Sequence, residues 1–164
     1  MIVLVGFMGA GKTTVGQLLA PAAGVAFVDS DQAIEARAGR PIPEIFASEG
    51  EPAFRALEHE VVAGLLDGPD VVLALGGGAA EHEKTRKLLA SVPVVFLRVS
   101  FAEAMARVGG DHNRPMLGRP DISEVFDRRQ AAYAAVAKLT VDVDGRPPRD
   151  IARDVLRRLS ARHG

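Results

Sequence analysis

The sequence predicts an α/β fold in which helices cover both faces of a five-stranded parallel sheet. Short apolar runs rich in β-branched residues alternate with segments whose apolar residues recur at helical spacing, the pattern of strands buried on both sides. A glycine-rich loop separates the first run from the first helix. The 164 residues, 48% hydrophobic and 25% charged, have a globular composition and room for one domain, residues 1–164.

The first half of the chain supplies three of the five predicted strands. Ile2–Val5 is the first, and the helix after the glycine-rich loop is expected to end where Pro21 and Gly24 interrupt its pattern. The next apolar runs, Val25–Val28 and Val71–Leu75, are the second and third strands. Between them the apolar spacing predicts three helical segments, at Ala33–Ala38, Ile42–Phe46 and Pro52–Leu66.

The second half supplies strands at Val94–Leu97 and Leu139–Val143. Helices are predicted around them, at Glu81–Ala90, Phe101–Val108, Ser123–Ala137 and Arg149–Arg162. Residues 109–121, rich in Gly, Pro and Arg, break the alternation. Because ligands of open parallel sheets bind beyond the carboxyl ends of the strands, the polar residues after each strand are candidate site residues.

The glycine-rich loop, Gly6–Thr14, matches the phosphate-binding P-loop pattern G-x-x-x-x-G-K-T. Glycines let the backbone wrap closely around phosphate oxygens, so that successive N–H groups point inward at a helix N-terminus. Lys12 is expected to reach the β- and γ-phosphates, and the Thr13 hydroxyl to ligate Mg²⁺. The residues predicted to bind a nucleoside triphosphate are therefore Gly9, Ala10, Gly11, Lys12, Thr13 and Thr14.

Two acidic residues, Asp29 and Asp31, follow the second strand. They would lie beside the P-loop if this strand neighbours the first or lies one away. One carboxylate could support Mg²⁺ while the other accepts a proton from a substrate hydroxyl. The alternative is helix capping, for which Asp31, just ahead of the helix near Ala33, is the candidate.

The third strand runs into three glycines, Gly76–Gly78, where many P-loop proteins carry a magnesium-holding carboxylate. Asp29 is therefore the available metal candidate. Three successive glycines indicate a small ligand lying against bare backbone. On the preceding long helix, Arg55 and Glu58 are spaced i,i+3; Arg55 could form a fork for a substrate carboxylate, with Glu58 orienting it.

These motifs resemble those of shikimate kinase, in the same order and spacing through essentially the whole chain. The matching segments are Gly6–Thr14, Asp29–Asp31, Ile45–Glu58 with its F-R-x-x-E pattern, Gly76–Gly78 and Asn113–Leu117. The resemblance implies a single-domain P-loop kinase fold with a mobile lid at about residues 109–121 and a substrate-binding segment at about 31–60. It also implies that the γ-phosphate of ATP is transferred to the 3-hydroxyl of shikimate, in the pathway to chorismate and the aromatic amino acids.

The resemblance also implies roles for individual residues. Lys12, Asp31 and Arg114 would be catalytic, with Asp31 as proton acceptor. Arg114 would also bind the nucleotide, reaching its phosphates from the lid. Mg²⁺ would be supported by Thr13 and, through water, by Asp29. Adenine would lie between Arg107 on one side and Arg146 and Pro148 on the other. The predicted substrate-binding residues are Asp31, Phe46, Phe54, Arg55, Glu58, Gly76, Gly77, Gly78 and Arg129.

One departure from the family pattern touches Arg129. The family's R-x-P-L-Y reads here as R-Q-A-A-Y from Arg129 to Tyr133, so the proline and the leucine are alanines. Loss of the proline removes a kink and could shift the helix. Arg128 is adjacent, and the register selects Arg129 as the second ligand of the substrate carboxylate.

The remaining expectations concern partners and alternatives. A net charge of −1, the absence of cysteine and the absence of a long apolar run favour a cytoplasmic protein without a nucleic-acid or membrane partner, and we expect a monomer. Two alternatives remain open at this point: a kinase related to gluconate kinase, and a nucleotide-binding regulatory module without turnover.

Overall fold

The sheet contains five parallel strands in the order β2-β3-β1-β4-β5, which confirms the predicted fold class. The structure is a computed structural model and describes residues 1–108 and 119–162. Its strands are β1 Ile2–Val5, β2 Ala26–Asp29, β3 Val71–Ala74, β4 Val94–Arg98 and β5 Leu139–Asp142.

Seven α-helices occur in the described residues, and each follows a strand, a loop or another helix as the alternating pattern predicts. A 3₁₀ turn, Ala79–Glu81, follows the triple glycine. The helices are α1 Lys12–Ala23, α2 Ser30–Ala38, α3 Ile42–Asp67, α4 Glu83–Leu89, α5 Phe101–Val108, α6 Ile122–Val136 and α7 Pro148–Ala161. None of them is both long and apolar enough to cross a membrane.

The core is built on the three central strands. All of β3 and most of β1 and β4 are buried, which for parallel strands means that helices cover both faces of the sheet. Helices α1 and α7 pack against each other, while α6 packs on β4 and on the 3₁₀ turn. Because the strands are parallel, their carboxyl ends lie at one edge, where the loop after β1, the start of α2 and the loop after β3 meet.

Three local features differ from the expectations. Helix α1 continues through Pro21, because in the last turn a proline removes only one hydrogen bond, and it ends at Ala23 with the left-handed Gly24, at a φ of 71°, as its cap. The helix cap before α2 is Asp29 and not Asp31, because the helix begins at Ser30. The two helical segments predicted at Ile42–Phe46 and Pro52–Leu66 form one element, α3, broken at Gly50, whose φ of 83° gives the kink.

Candidate functional site

The loop between β1 and α1 forms the floor of a cavity of about 600 Å³. Gly9 and Gly11 have φ values of 83° and 91°, which L side chains rarely adopt. At Gly9 a Cβ atom would also lie 3.1 Å from the carbonyl oxygen of Ala104. Nine of the ten predicted nucleotide-binding residues line this cavity, and the tenth, Arg114, lies outside the described residues. The nine are Gly9, Ala10, Gly11, Lys12, Thr13, Thr14, Arg107, Arg146 and Pro148.

Two cations of this cavity are held by backbone carbonyl groups of the loop after β1. The Lys12 ammonium donates to the carbonyl oxygens of Gly6, at 2.5 Å, and Phe7, at 3.3 Å. Arg107 donates from Nη1 to the carbonyl oxygen of Gly9 at 2.8 Å, and its Nη2 pairs with Glu103 at 2.5 Å. The loop, its lysine and the arginine of α5 therefore form one connected polar wall.

The acidic pair at the end of β2, Asp29 and Asp31, also lies in this wall, since β2 is separated from β1 by β3 alone. Asp29 Oδ1 accepts the N–H groups of Asp31, at 2.8 Å, and Gln32, at 3.4 Å. The capping role therefore belongs to Asp29, and the capping alternative for Asp31 is wrong. The Asp31 side chain points into the cavity instead. Burial, and next the negative charge of Asp29, raise the pKa of Asp31.

A second cavity, of about 440 Å³, opens on the other side of Asp31. The kink at Gly50 brings Phe46 against Phe54, with ring centroids 4.6 Å apart, and these rings form an apolar wall. Seven of the predicted substrate-binding residues line this cavity: Asp31, Phe46, Phe54, Arg55, Glu58, Gly78 and Arg129. Asp31 is thus shared by both cavities.

Arg55 is fixed in the second cavity by its own helix. Its Nη1 donates to Glu58 Oε1 at 2.7 Å, and its Cζ lies 5.1 Å from the centroid of the Phe54 ring. Glu58 is only 1% exposed, and burial raises its pKa despite the opposing effect of Arg55. A buried carboxylate on one edge of the guanidinium restricts its rotation, so Arg55 presents its other N–H groups in a fixed direction.

The triple glycine makes room for side chains of the site. A Cβ atom at Gly76 would overlap the Asp31 carboxylate, and one at Gly78 would overlap the guanidinium of Arg55. At Gly77 it would lie 3.1 Å from Arg129 Nη1. We expected this bare backbone to face a ligand directly; the structure shows that charged side chains lie against it first.

Two of these glycines also have protein partners. Gly76 lines the first cavity, and its N–H donates to the Ser30 hydroxyl at 2.9 Å. The carbonyl of Gly77 accepts the Tyr133 hydroxyl at 2.5 Å. Tyr133 is buried, and desolvation raises the pKa of its hydroxyl, which therefore remains a donor. These bonds fix the loop after β3, and sequence spacing gave no signal for either of them.

The two candidate arginines of helix α6, Arg128 and Arg129, differ in burial. Arg129 lines the second cavity and its side chain is 11% exposed, whereas the Arg128 side chain is 59% exposed. Glu81 holds both, accepting from Arg128 Nε at 2.5 Å and from Arg129 Nε at 3.2 Å. The placement agrees with the register that selects Arg129.

Sequence reasoning also missed several residues of the cavity walls. Glu51 and Arg119 line the second cavity beside Ile42 and Pro43, and Ile151 of α7 lines the first. Arg119 is the first residue of the second described segment, and its side chain pairs with Asp121 at 2.8 Å. Arg114 and most of the predicted lid, residues 109–118, lie outside the described residues.

A metal ion would find few protein ligands here. Within residues 1–108 and 119–162 no group of three His, Cys, Asp or Glu side chains is arranged to hold one. Thr13 and Asp29 nevertheless line the first cavity together, and only Oδ1 of Asp29 is used in capping. This sparse set fits Mg²⁺ bound with a nucleotide, because Mg²⁺ takes one or two protein ligands, phosphate oxygens and water.

Comparison with known proteins adds an independent observation. The family model for shikimate kinase matches residues 8–160. A shikimate kinase of Salinispora arenicola is 50% identical over 162 residues, which cover 97% of this chain and 97% of that protein. The solved shikimate kinase of Acinetobacter baumannii, in complex with shikimate, has a TM-score of 0.93 at 37% identity, covering 98% of this chain and 93% of that one.

The structure of a gluconokinase from Sinorhizobium meliloti is also similar, with a TM-score of 0.60, covering 98% of this chain and 91% of that one. Its identity is 22%, so this likeness extends to the fold alone. The family model and the 50% identity over 97% of this chain both indicate shikimate kinase, in agreement with the motifs. The chain belongs to the shikimate kinase family.

Proposed function

We propose that the chain transfers the γ-phosphate of ATP to the 3-hydroxyl of shikimate, giving shikimate 3-phosphate and ADP. The observation that carries this function is the position of Asp31, which lines both the P-loop cavity and the cavity of Arg55 and Arg129. A phosphate donor in one cavity and a hydroxyl in the other would meet at this carboxylate.

The chemistry follows from the charges around the two cavities. Lys12 and the inward-facing N–H groups of the P-loop neutralise the β- and γ-phosphates. The shikimate hydroxyl donates its hydrogen bond to Asp31, whose raised pKa makes it a better base than an ordinary aspartate. As the bond from the hydroxyl oxygen to phosphorus forms, the bond from phosphorus to the bridging oxygen of ADP breaks, and the proton passes to Asp31.

The ring of the substrate is held by the second cavity. The carboxylate of shikimate pairs with Arg55 and Arg129, both of which line this cavity, and the apolar wall of Phe46 and Phe54 covers the ring. Two arginines beside an apolar wall suit a compact anion with a hydrophobic face. Arg114, from the predicted lid, would add positive charge at the phosphates and exclude water.

We further propose that Mg²⁺ accompanies the nucleotide, with the Thr13 hydroxyl and, through water, Asp29 as its protein ligands. Their shared position in the first cavity supports this assignment. When bound, the ion supplies charge neutralisation at the β- and γ-phosphate oxygens. Asp29 keeps its capping bonds through Oδ1 and has its second oxygen for this role.

Arg55→Ala is expected to raise the KM for shikimate by about 10- to 100-fold, the cost of losing a charge-assisted hydrogen bond. The KM for ATP should change less than about twofold, because Arg55 does not line the P-loop cavity. Steady-state kinetics with each substrate varied in turn checks this. Arg37→Ala, on an exposed arginine paired with Glu60, is the control. Equal effects on both substrates would place Arg55 outside the substrate pocket.

Gly78→Ala should also weaken shikimate binding, since the new Cβ displaces the Arg55 guanidinium and crowds Arg129. We expect the KM for shikimate to rise at least about tenfold with the KM for ATP nearly unchanged. Gly64→Ala is the matched control: nothing lies within 4 Å of its added Cβ, and alanine in a helix stabilises by about 0.5–1 kcal/mol. If Gly78→Ala has wild-type kinetics, the crowding inferred at Gly78 is wrong.

The function itself is tested by ADP release with a panel of acceptors: shikimate, gluconate, a nucleoside mixture and no acceptor. We expect shikimate to be the one acceptor of this panel that raises ADP release above the rate without acceptor. Turnover with gluconate alone would replace it by the gluconate-kinase alternative. Nucleotide binding without ADP release in any arm would support the regulatory module.

A further inference from the structure

Two arginines converge on Gly78 from different helices, and each has a glutamate behind it. Arg55 of α3 pairs with Glu58, and Arg129 of α6 pairs with Glu81. A Cβ atom at Gly78 would contact Nη2 of both arginines, so the two guanidinium groups approach each other closely there. Like charges at such short range repel, and each therefore needs an anion that fixes its position. Glu58 was recognised from helical spacing, whereas nothing in the sequence indicated Glu81.

Glu81 contacts one edge of the Arg129 guanidinium, and this contact determines which N–H groups of Arg129 remain available to a ligand. Glu81 Oε2 accepts from Nε of Arg129 at 3.2 Å. The other two nitrogens lie over the triple glycine, Nη1 at 3.1 Å from a Cβ placed on Gly77 and Nη2 at 2.9 Å from one on Gly78. Because Arg129 lines the second cavity, this Nη pair is the edge that can form a fork with a planar carboxylate there.

Glu81 is itself held rigidly. It ends the 3₁₀ turn that follows the glycines, and its N–H donates to the Gly78 carbonyl at 3.1 Å. Arg86 Nη1 donates to the carbonyl oxygens of Ala80, at 3.1 Å, and Glu81, at 2.6 Å. The second carboxylate oxygen accepts from Arg128. Although partial burial opposes it, hydrogen bonds from Arg128 and Arg129 lower the pKa of Glu81, which is therefore ionised at neutral pH.

We propose that Glu81 is a positioning residue that aims the Nη edge of Arg129 at the substrate carboxylate, with Arg128 holding the other oxygen of Glu81. Glu81 touches no substrate in this arrangement and acts through Arg129. The inference rests on the proposed function, since it takes the ligand of Arg129 to be shikimate. In this arrangement the glycines after β3 leave space for the two arginines, and Glu81, which follows them, orients Arg129.

Glu81→Ala tests this in the full-length chain. Without its anion, Arg129 is repelled by Arg55 and turns from the cavity, so the KM for shikimate should rise roughly tenfold. Both kcat and the KM for ATP should stay within about twofold, a split that general loss of structure would not produce. Glu81→Gln keeps an oxygen that accepts from Nε and should raise the KM less than Glu81→Ala. Glu83→Ala, an exposed glutamate two residues on, is the matched control and should leave all constants unchanged.

A double variant identifies the route of the effect. In an Arg129→Ala background, which itself raises the KM for shikimate, Glu81→Ala should add less than about twofold, because the residue it positions is gone. Three outcomes would overturn the inference while leaving the proposed function intact. They are a full additional effect of Glu81→Ala in the Arg129→Ala background, an unchanged KM for shikimate in Glu81→Ala alone, and equal changes in KM for both substrates. Failure of the unaltered chain to phosphorylate shikimate would overturn the proposed function and this inference together.

Discussion

Asp31→Asn is expected to lose nearly all phosphoryl transfer and yet to unfold at a higher temperature than the unaltered chain. The amide cannot accept the hydroxyl proton, and removing a positioned general base costs about 10²–10⁴-fold in kcat. Stability should rise because burial and the charge of Asp29 disfavour ionised Asp31 in the folded state. ADP release with shikimate and thermal unfolding on the same preparation measure both effects.

The pH dependence of this stability difference follows from the direction of the pKa shift. The pKa of Asp31 is higher in the folded than in the unfolded chain, so the folded state binds more protons between the two values. The stability contributed by protonated Asp31 is therefore present at low pH and lost as pH rises through the folded-state pKa. The gain in Tm from Asp31→Asn should be largest at neutral pH and shrink on acidification.

Asp67→Asn, an exposed aspartate at the end of α3, is the control and should alter neither activity nor the trend with pH. Retention of most of the shikimate-dependent turnover in Asp31→Asn would remove Asp31 from the role of proton acceptor. A Tm below that of the unaltered chain at neutral pH would show that ionised Asp31 stabilises the fold, contrary to the effect of its burial.

Lys12→Met should abolish turnover, with kcat reduced by about 10³-fold or more, while the chain remains folded. Methionine keeps much of the length of the side chain but has no charge to offset that developing on the transferred phosphoryl group. The variant also loses the bonds from Nζ to the carbonyl oxygens of Gly6 and Phe7, which should cost no more than about 2 kcal/mol of stability. Single-turnover ADP release and thermal unfolding measure the two effects.

Lys87→Met is the matched control, because Lys87 is an exposed lysine of α4 paired with Glu83. It should have the kinetics of the unaltered chain. If Lys12→Met retains a tenth or more of the turnover, the lysine of the P-loop is not required for transfer. If it fails to fold, the bonds to Gly6 and Phe7 matter more for the structure than their number suggests.

The P-loop could be predicted in full because its conformation is determined within a few consecutive residues. A buried strand, glycines that adopt positive φ and the helix beginning at Lys12 follow one another without a gap, so no distant contact is needed to recognise them. The strands of the sheet could be predicted equally well, since strands buried on both faces appear in the sequence as continuous apolar runs. Helix ends were predicted less well, as Pro21 and the cap before α2 show, because a single hydrogen bond decides them.

The sequence by itself therefore determined the alternating sheet, the phosphate-binding loop and the residue types of the site, through patterns that span at most a few turns. Only the tertiary structure decided that Asp29 caps while Asp31 faces both cavities, that the triple glycine admits Asp31, Arg55 and Arg129, and that Glu81 holds an arginine 48 residues away. Parallel strands are joined by long crossovers, so residues that meet at the edge of the sheet are far apart in the chain. Their contacts depend on strand order and helix packing, which local patterns do not encode.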